Sequence, residues 1–453
     1  MDLLFTAASF ILALGILITV HEFGHFWVAR RLGVKVLRFS VGFGRPLLRH
    51  QSGPGATEYV LASIPLGGYV KMLDEREDPV PAEQAHLAFN RQVLWKRAAI
   101  VTAGPLFNLL FAILAYWAIF VTGDAGLRPV VGSVEPGSVA AEAGFQRGDE
   151  FQRIADRSTP TWESAVFALM AEALDGEDLT VLVRDASGAE QHRWIEGGRL
   201  AELPEDPNIF DRLGLSPERP RLPPVIGELT AGEPAEQAGL KLGDRILTVD
   251  GKPVEDWRDW VEMVRARPGE AMRVDLDRGG EPTAVTVTPR VLEVDGTKIG
   301  RIGAGVEVRE DLMDAYRVEV RYGPLDALGH ALGKTFDMSQ LMVRVIGRML
   351  VGQASVENLS GPITIAETAG RTASYGLDYF VKFLAVVSIS LGVLNLMPIP
   401  ILDGGHLLYF FIEWVKGSPL SEQAQLQGQK VGMVLLAALM TLAFYVDLSR
   451  LFG

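Results

Sequence analysis

The sequence predicts an α-helical membrane protein with four transmembrane helices and two small α+β domains inserted between the second and third. Three observations carry this. Four apolar stretches, at roughly 3 to 29, 98 to 121, 378 to 400 and 429 to 452, approach or reach the ~20 residues that cross a hydrocarbon core of ~30 Å. Hydrophobic residues make up 48% of the 453, and the mean hydropathy is +0.19, more apolar than a soluble core of this length needs. The net charge of −13 is localised: residues 122 to 330 hold 40 Asp/Glu against 24 Lys/Arg, and the flanking chain is near neutral or basic.

The first apolar stretch follows Met1-Asp2 without a basic n-region and continues into His21 and Glu22, so it reads as a retained span and not as a secretory signal. Between the first and second spans lie 11 Lys/Arg, among them Arg30, Arg31, Lys35, Arg38, Lys96 and Arg97 beside the span ends, against six acids. By the positive-inside rule that segment is cytoplasmic. The N-terminus, the acidic block and the C-terminus are then expected outside, and the loop holding Asp403 returns to the cytoplasmic side. Cysteine is absent, which excludes disulfides, a thiol nucleophile and thiolate zinc sites. The acidic balance argues against a nucleic-acid partner.

The acidic block repeats itself at an offset of 95 positions. Pro129-Val130-Val131-Gly132 answers Pro224-Val225-Ile226-Gly227, Ala143-Gly144-Phe145 with Gly148-Asp149 answers Ala238-Gly239-Leu240 with Gly243-Asp244, and Trp162 answers Trp257. Each copy mixes short β-rich runs with one helical stretch after the Trp. The Ala-Gly-φ-x-x-Gly-Asp turn before an apolar strand resembles the PDZ domain. The expected organisation is a membrane half over 1–121, PDZ-like domains over 122–220 and 221–292, a linker over 293–375 and a second membrane half over 376–453. Within the linker, Leu325, Leu328, Leu332, Met342, Val345 and Met349 fall near helical spacing and predict an amphipathic helix on the membrane surface; packing against the second repeat is the other reading. The PDZ-like pair either binds a substrate's chain end through backbone amides near Gly132 or Gly227, or acts as bulk that screens out large ectodomains.

His21-Glu22-Phe23-Gly24-His25 fits the HExxH pattern. Residues four apart share a helix face, so both imidazoles reach one ion, and Glu22 lies beside the water on that ion. Zinc lowers the pKa of such a water toward ~7, and a neighbouring carboxylate takes its proton and passes it to the leaving amine. Three ionisable residues within five positions of an apolar span are costly and point to function over packing. A hydrolytic zinc site has three protein ligands and an open position. Asp403, after Asn395-Leu396-Met397-Pro398-Ile399-Pro400-Ile401-Leu402, is the leading third ligand, with a helix N-cap as its alternative role; His406 is the rival ligand. Asn395, polar within a span, either bonds an unwound substrate or another helix. No other Asp in an apolar span has a comparable context, which disfavours an aspartyl intramembrane protease. A membrane-anchored PDZ scaffold with a structural metal remains the competing reading, and four spans without inverted repeats make a poor transporter.

HEFGH in the first span and NLMPIPILDGG near the last resemble the site-2 protease family of intramembrane metalloproteases. The resemblance extends over Val41-Gly42-Phe43-Gly44, Ile64-Pro65-Leu66-Gly67-Gly68-Tyr69-Val70-Lys71-Met72, Gly104-Pro105 with Asn108, and Asn358-Leu359-Ser360-Gly361-Pro362. It implies one Zn2+ per chain held by His21, His25 and Asp403, with Glu22 as general base. It also implies a membrane-associated β-hairpin within residues 34 to 72 whose edge strand holds unwound substrate. The substrate-contacting residues would be Asn395, Pro398, Pro400, Gly42, Gly44, Gly67, Gly68 and Tyr69. The implied setting is the bacterial inner membrane, with the PDZ-like domains periplasmic and the active site toward the cytoplasm. The implied partners are membrane lipid and single-pass membrane substrates: a trimmed anti-sigma factor and remnant signal peptides.

Overall fold

A computed structural model describes residues 3–53, 55–173, 176–201, 209–294, 297–307, 312, 314–351 and 361–452. Asn358, Leu359 and Ser360 of the family-like segments lie outside them. The chain divides into two compact units, one of residues up to Asp124 together with Val320–Phe452, the other Ala125–Glu319.

The first unit contains helices α1 (Leu3–Arg31), α2 (Leu94–Thr122), α3 (Pro324–Leu350), α4 (Pro362–Tyr375), α5 (Leu377–Leu396), α6 (Asp403–Lys416) and α7 (Glu422–Phe452), with strands β1 (Val36–Gln51) and β2 (Glu58–Met72) between α1 and α2. Four of these helices are long and apolar enough to cross a membrane: α1, α2, α5, and α7 over Glu422–Ser449. Several boundaries differ from the hydropathy reading, among them the start of the fourth span, which moves from about 429 to Glu422. The third span stops at Leu396, because Met397 before Pro398 is extended (φ −66°, ψ 146°) and the proline ring bars helix there. The second begins at Leu94, and its charged first turn is satisfied: Lys96 Nζ donates to Leu32 O at 3.2 Å and Arg97 pairs with Glu413.

Small residues let these helices approach closely. Ala112 and Ala115 of α2 pack with Ala385 and Ile389 of α5 and Ala331 of α3, while Ala13 and Leu17 of α1 meet Ala369 of α4 and Leu384 of α5. Helix α3 packs on its neighbours through a face other than the one that carries its first leucines. Ala327 and Ala331 are buried and Met338 and Met342 join the α2 cluster, whereas Leu325, Leu328 and Leu332 are exposed. It packs on the membrane unit through its small residues and methionines and presents the leucines outward.

β1 and β2 pair antiparallel, but not as one ladder: Phe39 stands opposite both Val70 and Tyr59, and His50 also meets Tyr59. The strands bend back into a small sheet. The bends fall at Gly42 (φ 92°), Gly44 (φ 89°) and Gly67 (φ 130°), conformations that side-chain-bearing residues rarely adopt. Beneath the sheet, Val36 packs with Phe26, Ala29 and Ile100.

The fourth span does hold an aspartate, but in a context unlike that of Asp403. Asp447, within the fourth span, is 1% exposed. Its carboxylate accepts hydrogen bonds from Gly361 N (3.1 Å), Ile363 N (2.8 Å), Thr364 N (3.3 Å) and Thr364 Oγ1 (2.6 Å). It caps the otherwise orphaned N–H groups of α4 from another helix. A hydropathy window cannot reveal this, because the capped residues lie more than 80 positions away in the chain. With those bonds filled, Asp447 serves the fold of α4 and α7.

The second unit holds two hydrophobic cores, each under a four-stranded antiparallel sheet of the same order. The first sheet comprises Arg157–Ser158, Glu150–Ile154, Leu179–Arg184 and Glu190–Ile195, and the second Lys252–Pro253, Arg245–Val249, Met272–Arg278 and Glu281–Val287. Trp162 enters the first core, and Trp260, with Trp257 beside it, the second. The two also share a clamp. Buried Asp149 accepts from Gln146 N and from Arg193, and buried Asp244 accepts from Lys241 N (2.8 Å) and twice from Arg278 (2.8 and 2.7 Å). The two arginines do not keep the 95-residue offset, so the ungapped comparison misses them.

Burial pushes the Asp244 carboxyl upward, but Arg278 and the Lys241 amide outweigh it and hold the group below the usual carboxylate range. A depressed folded value means that the stabilisation is complete above the unfolded pKa of ~3.9 and is lost as pH falls toward the folded value. Asp244→Asn is expected to destabilise this half of the unit by about 2 kcal/mol at neutral pH, with the gap to wild type closing in acid. Denaturant melts of the full chain, followed by tryptophan fluorescence at several pH values, measure both.

Candidate metal centre

The HExxH turn lies in the membrane-spanning length of α1. Gly24, on the side facing α2, leaves no room for a Cβ: one would lie 2.9 Å from the Ala103 carbonyl carbon and 3.0 Å from Phe107 Cβ. Close approach of α1 to α2 thus requires glycine here. Asp403 arrives from the other end of the chain. After α5 ends, Pro398 and Pro400 keep the connector extended, and the buried pair Gly404 and Gly405 lets the first turn of α6 fold onto the backbone of residues 396 to 400. Leu402, not Asp403, is the N-cap, which leaves the Asp403 carboxylate aimed at the imidazoles.

The resulting geometry is compact. His21 Nε2 and His25 Nε2 lie 3.3 Å apart, and Asp403 Oδ2 lies 3.3 Å from the first and 3.4 Å from the second. Donors at about 2.0–2.1 Å around a tetrahedral zinc ion stand about 3.3–3.4 Å from one another, so the three atoms have the spacing of three tetrahedral zinc ligands. His25 Nδ1 donates to Ile100 O at 2.8 Å, which fixes the tautomer and leaves Nε2 bare for a metal. Asp403 Oδ2 is buried and accepts no other hydrogen bond. Burial pushes the Asp403 carboxyl upward, yet the two imidazoles more than offset this and hold it well below the usual carboxylate range. Among the described residues this is the one group of three His, Asp or Glu with ligand atoms close enough to share an ion.

His406 is not part of that group. With Glu22, His25 and Asp403 it lines a cavity of about 570 Å³, and burial pushes its imidazole below the ordinary pKa. The Arg97–Glu413 pair also lines this cavity, with contacts of 2.5 and 3.2 Å that tie α2 to α6. Sequence reasoning missed it, since nothing local links two residues 316 positions apart.

The other sequence-predicted residues fall into two places. On the small sheet, Gly68 lies against the HExxH turn: a Cβ there would sit 3.0 Å from Glu22 Cγ and 2.9 Å from Ile18 Cγ2. Gly42, Gly44 and Gly67 mark the bends. Tyr69 stacks on Phe43 at 6.2 Å, and its hydroxyl accepts from Arg38 Nη1 at 3.0 Å. In the last turn of α5, Asn395 is half-buried and its side chain makes no hydrogen bond with the described residues; on the connector that follows, Pro398 is exposed and Pro400 half-buried.

An HExxH helix and a distant aspartate converging among apolar spans define a membrane metalloprotease. The model of Peptidase family M50 matches residues 9–439, and the chain belongs to that family. It is 44% identical over 453 residues to the regulator of sigma-E protease RseP of Escherichia coli K12, covering all of both chains. It is 43% identical over 451 residues to the regulator of sigma E protease of Salmonella typhi, again covering all of both. A Vibrio cholerae protein whose given name is that of a zinc metalloprotease is 43% identical over 454 residues, covering 99% of this chain and 100% of its own. The solved PDZ domain of an SdrC-like protein from Listeria innocua aligns with 19% of this chain and 97% of its own at 17% identity and a TM-score of 0.17, a likeness too slight to carry an argument.

Proposed function

We propose that this chain hydrolyses a peptide bond in the membrane-spanning region of single-pass proteins, using one zinc ion held by His21, His25 and Asp403. The observation that carries the reading is the triangle of donor atoms at 3.3, 3.3 and 3.4 Å on apolar elements, with Glu22 between the two histidines. When bound, zinc supplies Lewis acidity that acidifies the attacking water and polarises the scissile carbonyl. Glu22 takes the water's proton and delivers it to the departing amide nitrogen. His25 stays oriented by the Ile100 carbonyl, and the charge of Asp403 favours a cation over an empty site.

A helical substrate must unwind before its peptide bonds are accessible. The closeness of Gly68 to Glu22 supports strand addition along β2, in which the unwound segment gains main-chain hydrogen bonds beside the base. Asn395, free of partners among the described residues, bonds the exposed substrate backbone, with Pro398 and Pro400 shaping the same wall. The 11 Lys/Arg between the first two spans support a cytoplasmic active-site side and a periplasmic acidic unit in a bacterial inner membrane.

The two lobes of that unit act as PDZ-like screens by bulk. Chain-end capture at Gly132 or Gly227 is disfavoured, because the strands bearing them are already paired with Leu215–Pro217 and Ala304–Val306, and a Cβ at either glycine would clash with the backbone of Pro217 and Glu218 or of Val306 and Glu307. The relatives' names concern sigma-E regulation; with the resemblance to the site-2 protease family, this supports an anti-sigma factor trimmed by an earlier protease as the natural substrate, with remnant signal peptides as a second class.

Reconstitution in liposomes tests the proposal. Mass spectrometry is expected to place the cut within the apolar segment of a trimmed substrate, while a version with a folded ectodomain stays intact until residues 128 to 290 are deleted. A cut outside the apolar segment, or equal cleavage of both substrates by the whole enzyme, would contradict it.

A further inference from the structure

Each metal-binding imidazole has a second nitrogen, and the two are treated differently. For His25 the partner is the Ile100 carbonyl, an acceptor that can only receive a proton. For His21 it is the side chain of Asn108 on α2, whose Nδ2 lies 3.3 Å from His21 Nδ1. Asn108 is fully buried in the second span, and its Oδ1 has no hydrogen-bond partner.

The amide orientation has a chemical consequence. If Nδ2 donates to His21, Nδ1 is bare and the imidazole proton sits on Nε2. That is the atom 3.3 Å from both His25 Nε2 and Asp403 Oδ2, and a protonated nitrogen cannot ligate a metal. Exchanging O and N of an Asn amide leaves its shape unchanged and is settled only by the hydrogen bonds made. With Oδ1 toward His21, Nδ1–H donates, Nε2 is bare, and Oδ1 gains the donor it lacks. One amide atom faces no partner in either orientation, so the burial cost does not choose between them. Metal competence does.

The surroundings suit a fixed support. The Asn108 carbonyl accepts Ser388 Oγ at 2.8 Å, and Ser388 is itself fully buried on α5. One turn earlier on the same face of α2, Gly104 supplies the clearance: a Cβ there would lie 2.6 Å from His25 Cε1 and 2.9 Å from His21 Cε1. α2 therefore brings one residue that makes room for the imidazoles and, four positions later, one that holds an imidazole.

We infer that Asn108 is a positioning residue for the metal centre, accepting the His21 Nδ1 proton through Oδ1 so that Nε2 faces the ion. This rests on His21 being a ligand. Groups holding the outer nitrogen of a metal-bound His typically contribute 10- to 100-fold in metal affinity.

The test uses full-length protein in detergent, with zinc affinity measured by competition with a chromophoric chelator and the site read by the absorption spectrum of the Co2+ form. Asn108→Asp retains an acceptor and has no donor; it is expected to bind zinc within about threefold of wild type or more tightly. Asn108→Leu has neither, and is expected to bind about 10- to 100-fold more weakly with a changed Co2+ spectrum. A merely structural amide would lower the melting temperature of the metal-free protein without moving the affinity of its folded fraction. A tenfold or larger loss in Asn108→Asp overturns the inference, since it makes the amide a donor, and so does unchanged affinity and spectrum in Asn108→Leu. If the Leu variant does not fold, the Asp variant decides alone. His21→Ala separates the two levels: unchanged zinc affinity there removes the ligand reading itself, whereas lost affinity there with indifferent Asn108 variants removes only this inference.

Discussion

Glu22→Gln is expected to eliminate measurable cleavage, a fall of at least about 10²- to 10⁴-fold, the range that general acid–base groups contribute, while the protein keeps its full complement of zinc. The amide matches the carboxylate in shape and preserves the approach of Gly68 to the Glu22 side chain, but it cannot take a proton from water. None of the three converging donor atoms belongs to Glu22, so metal content is unaffected. Zinc analysis of the purified variant, beside cleavage of a single-pass substrate, measures both halves. A variant that keeps zinc and retains activity within tenfold of wild type would move the base elsewhere. A membrane-anchored scaffold with a structural zinc predicts no cleavage in either protein.

Asp403→Ala is expected to weaken zinc binding by more than the 10- to 100-fold that loss of an outer-sphere partner causes, with activity lost in parallel. The change removes one corner of the donor triangle and also its only anionic ligand. Two neutral imidazoles, one of them held by the Ile100 carbonyl, would remain on one helix without charge neutralisation. His406→Ala provides the contrast. Its imidazole lines the cavity but lies outside the converging group, and its removal is expected to leave zinc affinity within about threefold, below the effect of even an outer-sphere partner. Chelator competition on the two purified variants makes the comparison. Comparable losses would bring His406 into the coordination sphere.

Much of this architecture is legible in the chain because its signals are local. His21 and His25 are four apart on a helix, the four spans are long apolar runs, and the repeat at 95 positions anticipates two lobes with the same strand order. The failures share one cause, dependence on contacts distant in sequence. Asp447 reads as an odd polar residue until the N–H groups of Gly361, Ile363 and Thr364 are placed over it. Helix α3 carries a row of leucines that hydropathy reads as a membrane-surface face, but the face it packs on α2, with Ala331, Met338 and Met342, is set by contacts distant in sequence. Asn108 stands among the motif residues without a visible role, because its partner is 87 positions away on another helix. Asp403 could equally have been an N-cap from its local context. The backbone removes that alternative by giving the N-cap position to Leu402.

The most direct test of a single zinc held by His21, His25 and Asp403 is X-ray absorption at the zinc edge on the full-length protein, with metal content determined on the same sample. One zinc per chain is expected, in a first shell of two imidazole nitrogens and two oxygens at about 2.0–2.2 Å, with one imidazole contribution lost in His25→Ala. A shell of three imidazoles, or an imidazole contribution unchanged in His25→Ala, would contradict the account.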